Sequence, residues 1–267
     1  MSVPAAQKNR PTRLKATPYE KIWGSRNLQP WFPNPDKKIG EIWFTADQPL
    51  PVLVKFLFTS DKLSVQVHPS GPQGKTEMWH ILRAEPGAQI ALGFREPIGR
   101  DRLRHAAQSG EIENLLRWLP VKAGETYFTP ARTVHAIGAG IALCEIQQYS
   151  DITYRLYDYG RPREIHVDAG AAIADLGAHP GASQALAVSA GCESLVRCEY
   201  FETERHEIAE GVPLSFEGSA LMVFLAGSGS AGGEAFRPGE VWLMPEGTSR
   251  IEARGPVEAL RVHWPHS

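Results

Sequence analysis

No stretch of this chain approaches the roughly 20 apolar residues that a bilayer-spanning helix needs, and the opening MSVPAAQKNRPTRLKATPYEK lacks the apolar core of an export signal. Neither membrane insertion nor secretion is expected. Cysteine is scarce: Cys144, Cys192 and Cys198 are odd in number and without Cys-x-x-Cys spacing, so neither a disulfide framework nor a thiolate zinc site is suggested. A cytoplasmic location is the expectation. Excess charge is lacking too. With 28 Lys and Arg against 30 Asp and Glu, the net charge of -2 provides no basic field for nucleic acid or anionic lipid, and neither is an expected partner. Nothing in the sequence indicates an oligomeric state.

What is present is ordinary globular composition, 42% hydrophobic and 22% charged, in 267 residues, enough for one large or two small domains. The 25 glycines and 21 prolines fall between short apolar runs rather than in one block, which is the punctuation of an all-β chain. EIWFTA, PVLVKFLF, LSVQVH, MWHILRA, AQIALGF, ETYFTP, TVHAIG and IALCEIQQY read as strands of a sandwich or barrel. The segment 98–119 interrupts them with helical spacing, in Leu103, Ala106 and Ala107 and then in Ile112, Leu115, Leu116 and Leu119, separated by Ser-Gly. Two short helices are predicted there. An Ala/Gly-rich stretch at 168–190 reads as a helix running into a linker, and a second strand-rich unit follows at 191–267.

An internal repeat relates the two units. GETYFTPARTVH places Pro130 six residues after Gly124 and His135 five further on; GEVWLMPEGTSR places Pro245 and Arg250 identically after Gly239. Two barrels of related design are predicted, each with an inward residue after the proline, of which only His135 can bind a metal. In the first unit, SVQVHPSGPQGKTEMWH breaks core patterning, because Ser64, Gln66 and His68 share one strand face and Glu77 follows a Pro/Gly turn. Two imidazoles, a carboxylate and an amide oxygen suit Zn²⁺ or another borderline divalent ion, so Gln66, His68, Glu77 and His135 are candidate ligands.

The Gly-x5-Pro-x4-His segment resembles the second cupin motif, and QVH followed by Glu77 resembles the first, with Gln in place of the leading His. The expected fold is therefore all-β, a bicupin of two double-stranded β-helix (jelly-roll) barrels with a few short helices: a metal-binding barrel over 1–167 and a second, metal-free one over 191–267. KIWGSRNL, KKIGEIW, PVLVKFL, LSVQVHP, GKTEMWHIL and the long run from Val121 to Arg161 follow in the order found in type I mannose-6-phosphate isomerases of the short bacterial kind, which this chain resembles over about Tyr19 to Asp168. The resemblance implies one zinc ion per chain on those four ligands, a sugar phosphate substrate, Arg155 as a catalytic arginine, and interconversion of mannose 6-phosphate and fructose 6-phosphate.

Such a reaction needs a base beside a carbonyl and a cation for the developing enediolate. Arg155 suits the second role, being a fixed positive charge. Glu145, on the strand after His135, is the candidate base, with pairing to Arg155 or orientation of a ligating histidine as its other readings, and Ser64 and Lys75 are candidates to grip the phosphate. His80, His105, His166, His179, His206, His263 and His266 show no paired spacing and read as structural or exposed. Only SGPQ separates Pro69 from Gly74, where members of the family carry a longer insertion, so a different sugar phosphate is an alternative substrate. A non-catalytic sugar-binding bicupin and an iron cupin oxygenase are the other readings weighed.

Overall fold

In the computed structural model, residues 10–216, 218–246 and 249–265 are described. They form four antiparallel sheets arranged as two barrels. The first barrel faces a six-stranded sheet, in the order Lys15–Ser25, Ile39–Thr45, Val52–Phe58, Ile141–Gln148, Glu77–Ala84 and Thr126–Thr129, against a five-stranded sheet. The latter runs Tyr154–Tyr157, Val65–Val67, His135–Ile137, Gln89–Phe94 and Leu116–Pro120. In the second barrel, a seven-stranded sheet that includes Cys192–Arg197, Glu202–Ile208, Ala220–Ala226, Val241–Met244 and Val257–His263 is covered by a four-stranded one.

Alternation along the strands assigns each side chain its compartment. On Val52–Phe58, Val54, Phe56 and Phe58 point away from the barrel, into an apolar layer shared with Leu221, Val223 and Leu260 of the second barrel. The intervening Leu53, Lys55 and Leu57 therefore face the barrel interior, where Leu57 packs with Trp79, Ile81, Leu92 and Leu143. On Val65–Val67, the two valines pack outward beneath the helices, with Leu103, Ala106 and Ala107, which turns Ser64, Gln66 and His68 inward. The predicted helical stretch forms helices over Arg100–Ser109 and Ile112–Leu115, but from Leu116 to Pro120 the chain is a strand pairing with Gln89–Phe94, because its leucines serve a sheet edge. The Ala/Gly-rich segment holds a helix over Val167–Ile173 and, further on, a strand over Leu186–Ser189.

The internal repeat is a repeat of register. One cross-strand row reads Trp43, Lys55, Glu145, Trp79, Tyr127. Its counterpart reads Ser194, Glu204, Arg261, Met222, Trp242, and Tyr127 and Trp242 each lie three residues after the glycine that opens the repeat. The correspondence fails after the proline. Arg250, expected inward, has a side chain 63% exposed and pairs with Glu252 at 3.1 Å. On its strand Ile251 is the fully buried residue, and with a period of two its neighbour must face out.

Because Phe56 is fully buried in the layer between the barrels, Phe56→Ala is expected to cost about 3–5 kcal/mol. The barrels should still unfold in one transition, lowered in midpoint, when urea denaturation is followed by tryptophan fluorescence and circular dichroism together. Two separated transitions in the wild type would refute a shared core.

Candidate metal and sugar-phosphate site

Two facing rows of side chains build the site. From the five-stranded sheet, Arg155, Gln66 and His135 are successive cross-strand partners. From the six-stranded sheet come Lys55, Glu145 and Trp79, with Glu77 and Gln147 paired one step along. A cavity of about 50 Å³ lies between the rows, lined by Ser64, Gln66, Lys75, Glu77, His135, Glu145 and Lys55 and, toward its mouth, by Asp151 and Thr153. That volume holds an ion and a water rather than a whole sugar, whose bulk must lie toward the mouth.

The turn before His135 is fastened to the His68 strand. Arg132 takes a left-handed conformation (φ 75°), unusual for a side-chain-bearing residue, and its N–H donates to the His68 carbonyl at 2.8 Å. His68 and His135 each place Nδ1 against a backbone carbonyl, Ile152 O at 2.9 Å and Thr133 O at 2.8 Å. The proton is thereby assigned to Nδ1 and the Nε2 lone pair points into the site, free on His135 and 3.4 Å from the Lys75 ammonium on His68, the tautomer of metal-ligating histidines. Burial reinforces it: the His135 pKa is pushed down to about 4, and burial with the nearby Lys75 charge puts His68 well below the usual imidazole range.

Both Nε2 atoms face Glu77, His68 at 3.8 Å from Oε2 and His135 at 3.5 Å from Oε1. A tetrahedral ion with ligand distances near 2.0–2.1 Å would set such atoms about 3.3 Å apart, so a small inward shift closes the shell. The Glu77 carboxylate is fully buried, and neither oxygen has a hydrogen-bond partner. Oε2 has Lys75 Nζ at 2.9 Å without the alignment of a hydrogen bond. A buried carboxylate whose only close cation among the described residues is Lys75, set between two inward-facing imidazole Nε2 atoms, is a donor set that fits a divalent metal. Gln66, half-buried, donates through Nε2 to Ser64 Oγ at 2.9 Å and lines the same cavity.

The remaining candidates divide between two ends. Glu145 is buried, with Lys55 Nζ at 3.3 Å, Lys75 Nζ at 3.6 Å and the Trp79 indole donating at 3.2 Å. Burial pushes its carboxyl up, but the two ammonium groups outweigh that and hold it below the usual carboxylate range. Lys75, a candidate to grip the phosphate, is buried, 3.4 Å from His68 Nε2, and its ammonium is held by Glu145 and Glu77 against the cost of burial. At the mouth, the Arg155 guanidinium donates to Ser64 Oγ at 3.3 Å and to the Glu164 carbonyl at 2.8 Å.

Lys55 is the functional-site candidate that sequence reasoning missed. It is buried beneath 4.3 Å of contact with the Trp43 ring, and burial together with the Lys75 charge lowers its pKa. Its signal was a single lysine inside the otherwise unbroken run VLVKFLF. Two histidines read as unpaired also gain partners: His206 groups with Cys192 and Glu204, and His263 with Glu202 and Glu204. His266 lies outside the described residues.

Comparison with known proteins agrees with this architecture. No family model matches the chain. A mannose-6-phosphate isomerase of Streptococcus mutans is 30% identical, over 95% of this chain and 98% of its own length. Mannose-6-phosphate isomerase ManA of Bacillus subtilis is 31% identical over 80% of this chain and 75% of its own. The crystal structure of the mannose 6-phosphate isomerase from Bacillus subtilis superposes with a TM-score of 0.84, covering 96% of this chain and all of that one at 24% identity, which establishes the fold. The alignment with the streptococcal protein is 310 positions long against 267 residues here, so the relative carries insertions that this chain lacks. With matched fold, near-complete coverage and the buried His68–Glu77–His135 group in place, the chain belongs to the mannose-6-phosphate isomerase family.

Proposed function

We propose that this protein interconverts mannose 6-phosphate and fructose 6-phosphate by proton transfer through an enediolate, with one zinc ion held by His68, Glu77, His135 and the Gln66 amide oxygen. The observation that carries this reading is the packing of the metal-capable group, two of whose members, Glu77 and His135, line the cavity, against the Lys55–Glu145–Lys75 charges that line it too. A bound divalent ion supplies Lewis acidity at the sugar's carbonyl and adjacent hydroxyl oxygens. The chain's own residues do the rest. Arg155, partly exposed, reaches the buried Ser64 hydroxyl that lines the cavity, and there a fixed cation and a hydroxyl orient the anionic sugar and offset enediolate charge. Lys75, drawn inward by Glu77, belongs to the reacting end rather than the phosphate end.

The proton moves from C2 to C1 of the open-chain sugar. We assign its transfer to Glu145 acting with Lys55. The carboxylate alone is a weak base, because two ammonium groups hold its proton affinity down. Lys55, with lowered pKa, loses its own proton to solvent more readily than an ordinary lysine; its neutral amine then accepts, across the 3.3 Å contact, the proton that Glu145 removes from C2, and returns it through Glu145 to C1. The Trp79 indole fixes the second Glu145 oxygen, so the pair turns only one face to the sugar. The short turn after Pro69 is pinned by Gly71 and Gln73 carbonyls to Gln148 and Ser150, and it leaves the mouth open to sugars other than mannose.

A coupled assay of purified enzyme, with mannose 6-phosphate beside other aldose phosphates, should give turnover that chelation abolishes and zinc restores. Full turnover in chelator would overturn the metal's role, and metal-dependent binding without turnover would point to a sugar-binding bicupin. Arg155→Ala should reduce kcat/KM by roughly 10²–10³ with folding intact.

Lys55→Met is expected to lower kcat by about 10²–10⁴ and to remove the rise of kcat with pH that deprotonation of Lys55 produces. An unchanged pH–rate profile in that variant would exclude Lys55 from the proton path.

Burial raises the Glu77 carboxyl above its ordinary range. Metal must displace a proton wherever Glu77 is protonated, so affinity should fall on acidification, by up to tenfold per pH unit for one proton. Calorimetric titration with zinc in buffers of different ionisation enthalpy should record proton release at pH 6 that shrinks toward pH 8.5. Equal release at both would remove Glu77 from the ligand set.

A further inference from the structure

The second barrel carries ligand-type side chains that the isomerase site does not use. Cys192 and His206 are direct cross-strand partners, and Glu204 lies two residues from His206 on the same face. Cys192 Sγ is 3.8 Å from His206 Nε2, which is 3.1 Å from Glu204 Oε2, and one ligand atom from each residue lies within 4.8 Å of the others. A tetrahedral zinc ion, with a sulfur ligand near 2.3 Å and nitrogen and oxygen ligands near 2.0–2.1 Å, would space such atoms about 3.3–3.6 Å apart. The observed spacings bracket that range. Cys192 and His206 are 8% and 7% exposed, so the group is shielded from bulk water.

A second group adjoins the first and shares Glu204. Glu202 and His263 are cross-strand partners with Oε2 and Nε2 3.7 Å apart, and His263 Nε2 is buried with no hydrogen-bond partner. Arg261 Nη1 contacts Glu204 Oε2 at 3.1 Å. Glu202 is paired with Arg197 and Glu204 with Arg261, so a divalent ion bound here with the Cys192 thiolate would leave one net positive charge on the patch.

We propose that Cys192, Glu204 and His206 form a second metal site, for zinc or a similarly borderline divalent ion, with His263 and Glu202 bordering it. Sulfur, imidazole and carboxylate together select such an ion over magnesium or calcium. The site ties the hairpin of Cys192–Arg197 and Glu202–Ile208 and is separate from the isomerase cavity. The proposal departs from the expectation of a metal-free second barrel.

Cobalt(II) tests this with a spectroscopic signature that the first site, which has no cysteine, cannot produce. Full-length protein stripped of metal under reducing conditions and titrated with cobalt should develop a thiolate-to-cobalt charge-transfer band that is complete by two equivalents, one of them taken by the isomerase site. Cys192→Ser should lose the band and bind one equivalent less, with isomerase turnover unchanged. His206→Gln should weaken binding at least tenfold and serves as the second variant if Cys192→Ser fails to fold. Absence of the band in the wild type, or its survival in Cys192→Ser, would overturn the proposal.

Discussion

A buried carboxylate that has no hydrogen-bond donor is the constraint on which the first barrel is built. Glu77 sits among apolar strands, and such a charge persists only with opposite charge beside it. Lys75 supplies one such charge at 2.9 Å, and in turn needs Glu145, which needs Lys55. Each member is tolerated because of the next. Removing one partner from a buried pair of this kind costs about 3–5 kcal/mol, since the other is left uncompensated. The chain of alternating charge therefore fixes the spacing of the strands that carry it, and the barrel's interior polarity and its chemistry have one origin.

The strand faces follow from that demand. Val52–Phe58 must put Lys55 inside and phenylalanines outside, and the outward phenylalanines then need a cover. The second barrel provides it through Leu221, Val223 and Leu260, so its contribution to the isomerase site is indirect: it buries the back of the sheet whose front holds Glu145 and Lys55. In the same way the helices over 100–115 cover the back of the strand that carries Gln66.

Much of this was legible in the sequence. Period-two alternation exposed the inward face of Ser64, Gln66 and His68, and the Gly-x5-Pro spacing revealed the duplicated strand. Pairing across strands was not legible, because a strand's sequence specifies which face a residue takes and not what stands opposite. Lys55 escaped notice for that reason: its meaning lies in Glu145, ninety residues away. Cys192, His206 and His263 likewise show no local spacing and meet only through sheet register. Arg250 misled in the other direction, since matching positions after a proline do not carry matching alternation once the chain enters a different sheet. The partners of Lys75 were illegible for the same reason as those of Lys55, since Glu145 stands on another strand.

The repeated row has a chemical consequence. Where the first barrel pairs Lys55 with Glu145, the second pairs Glu204 with Arg261 across the equivalent strands, with the signs exchanged. A lysine ammonium can surrender its proton when its surroundings press for it, whereas a guanidinium does not in any protein environment. Duplication therefore left two ion pairs of the same placement and opposite chemical temperament: one whose cation can lose its proton, and one that stays a fixed dipole until strong acid neutralises its carboxylate.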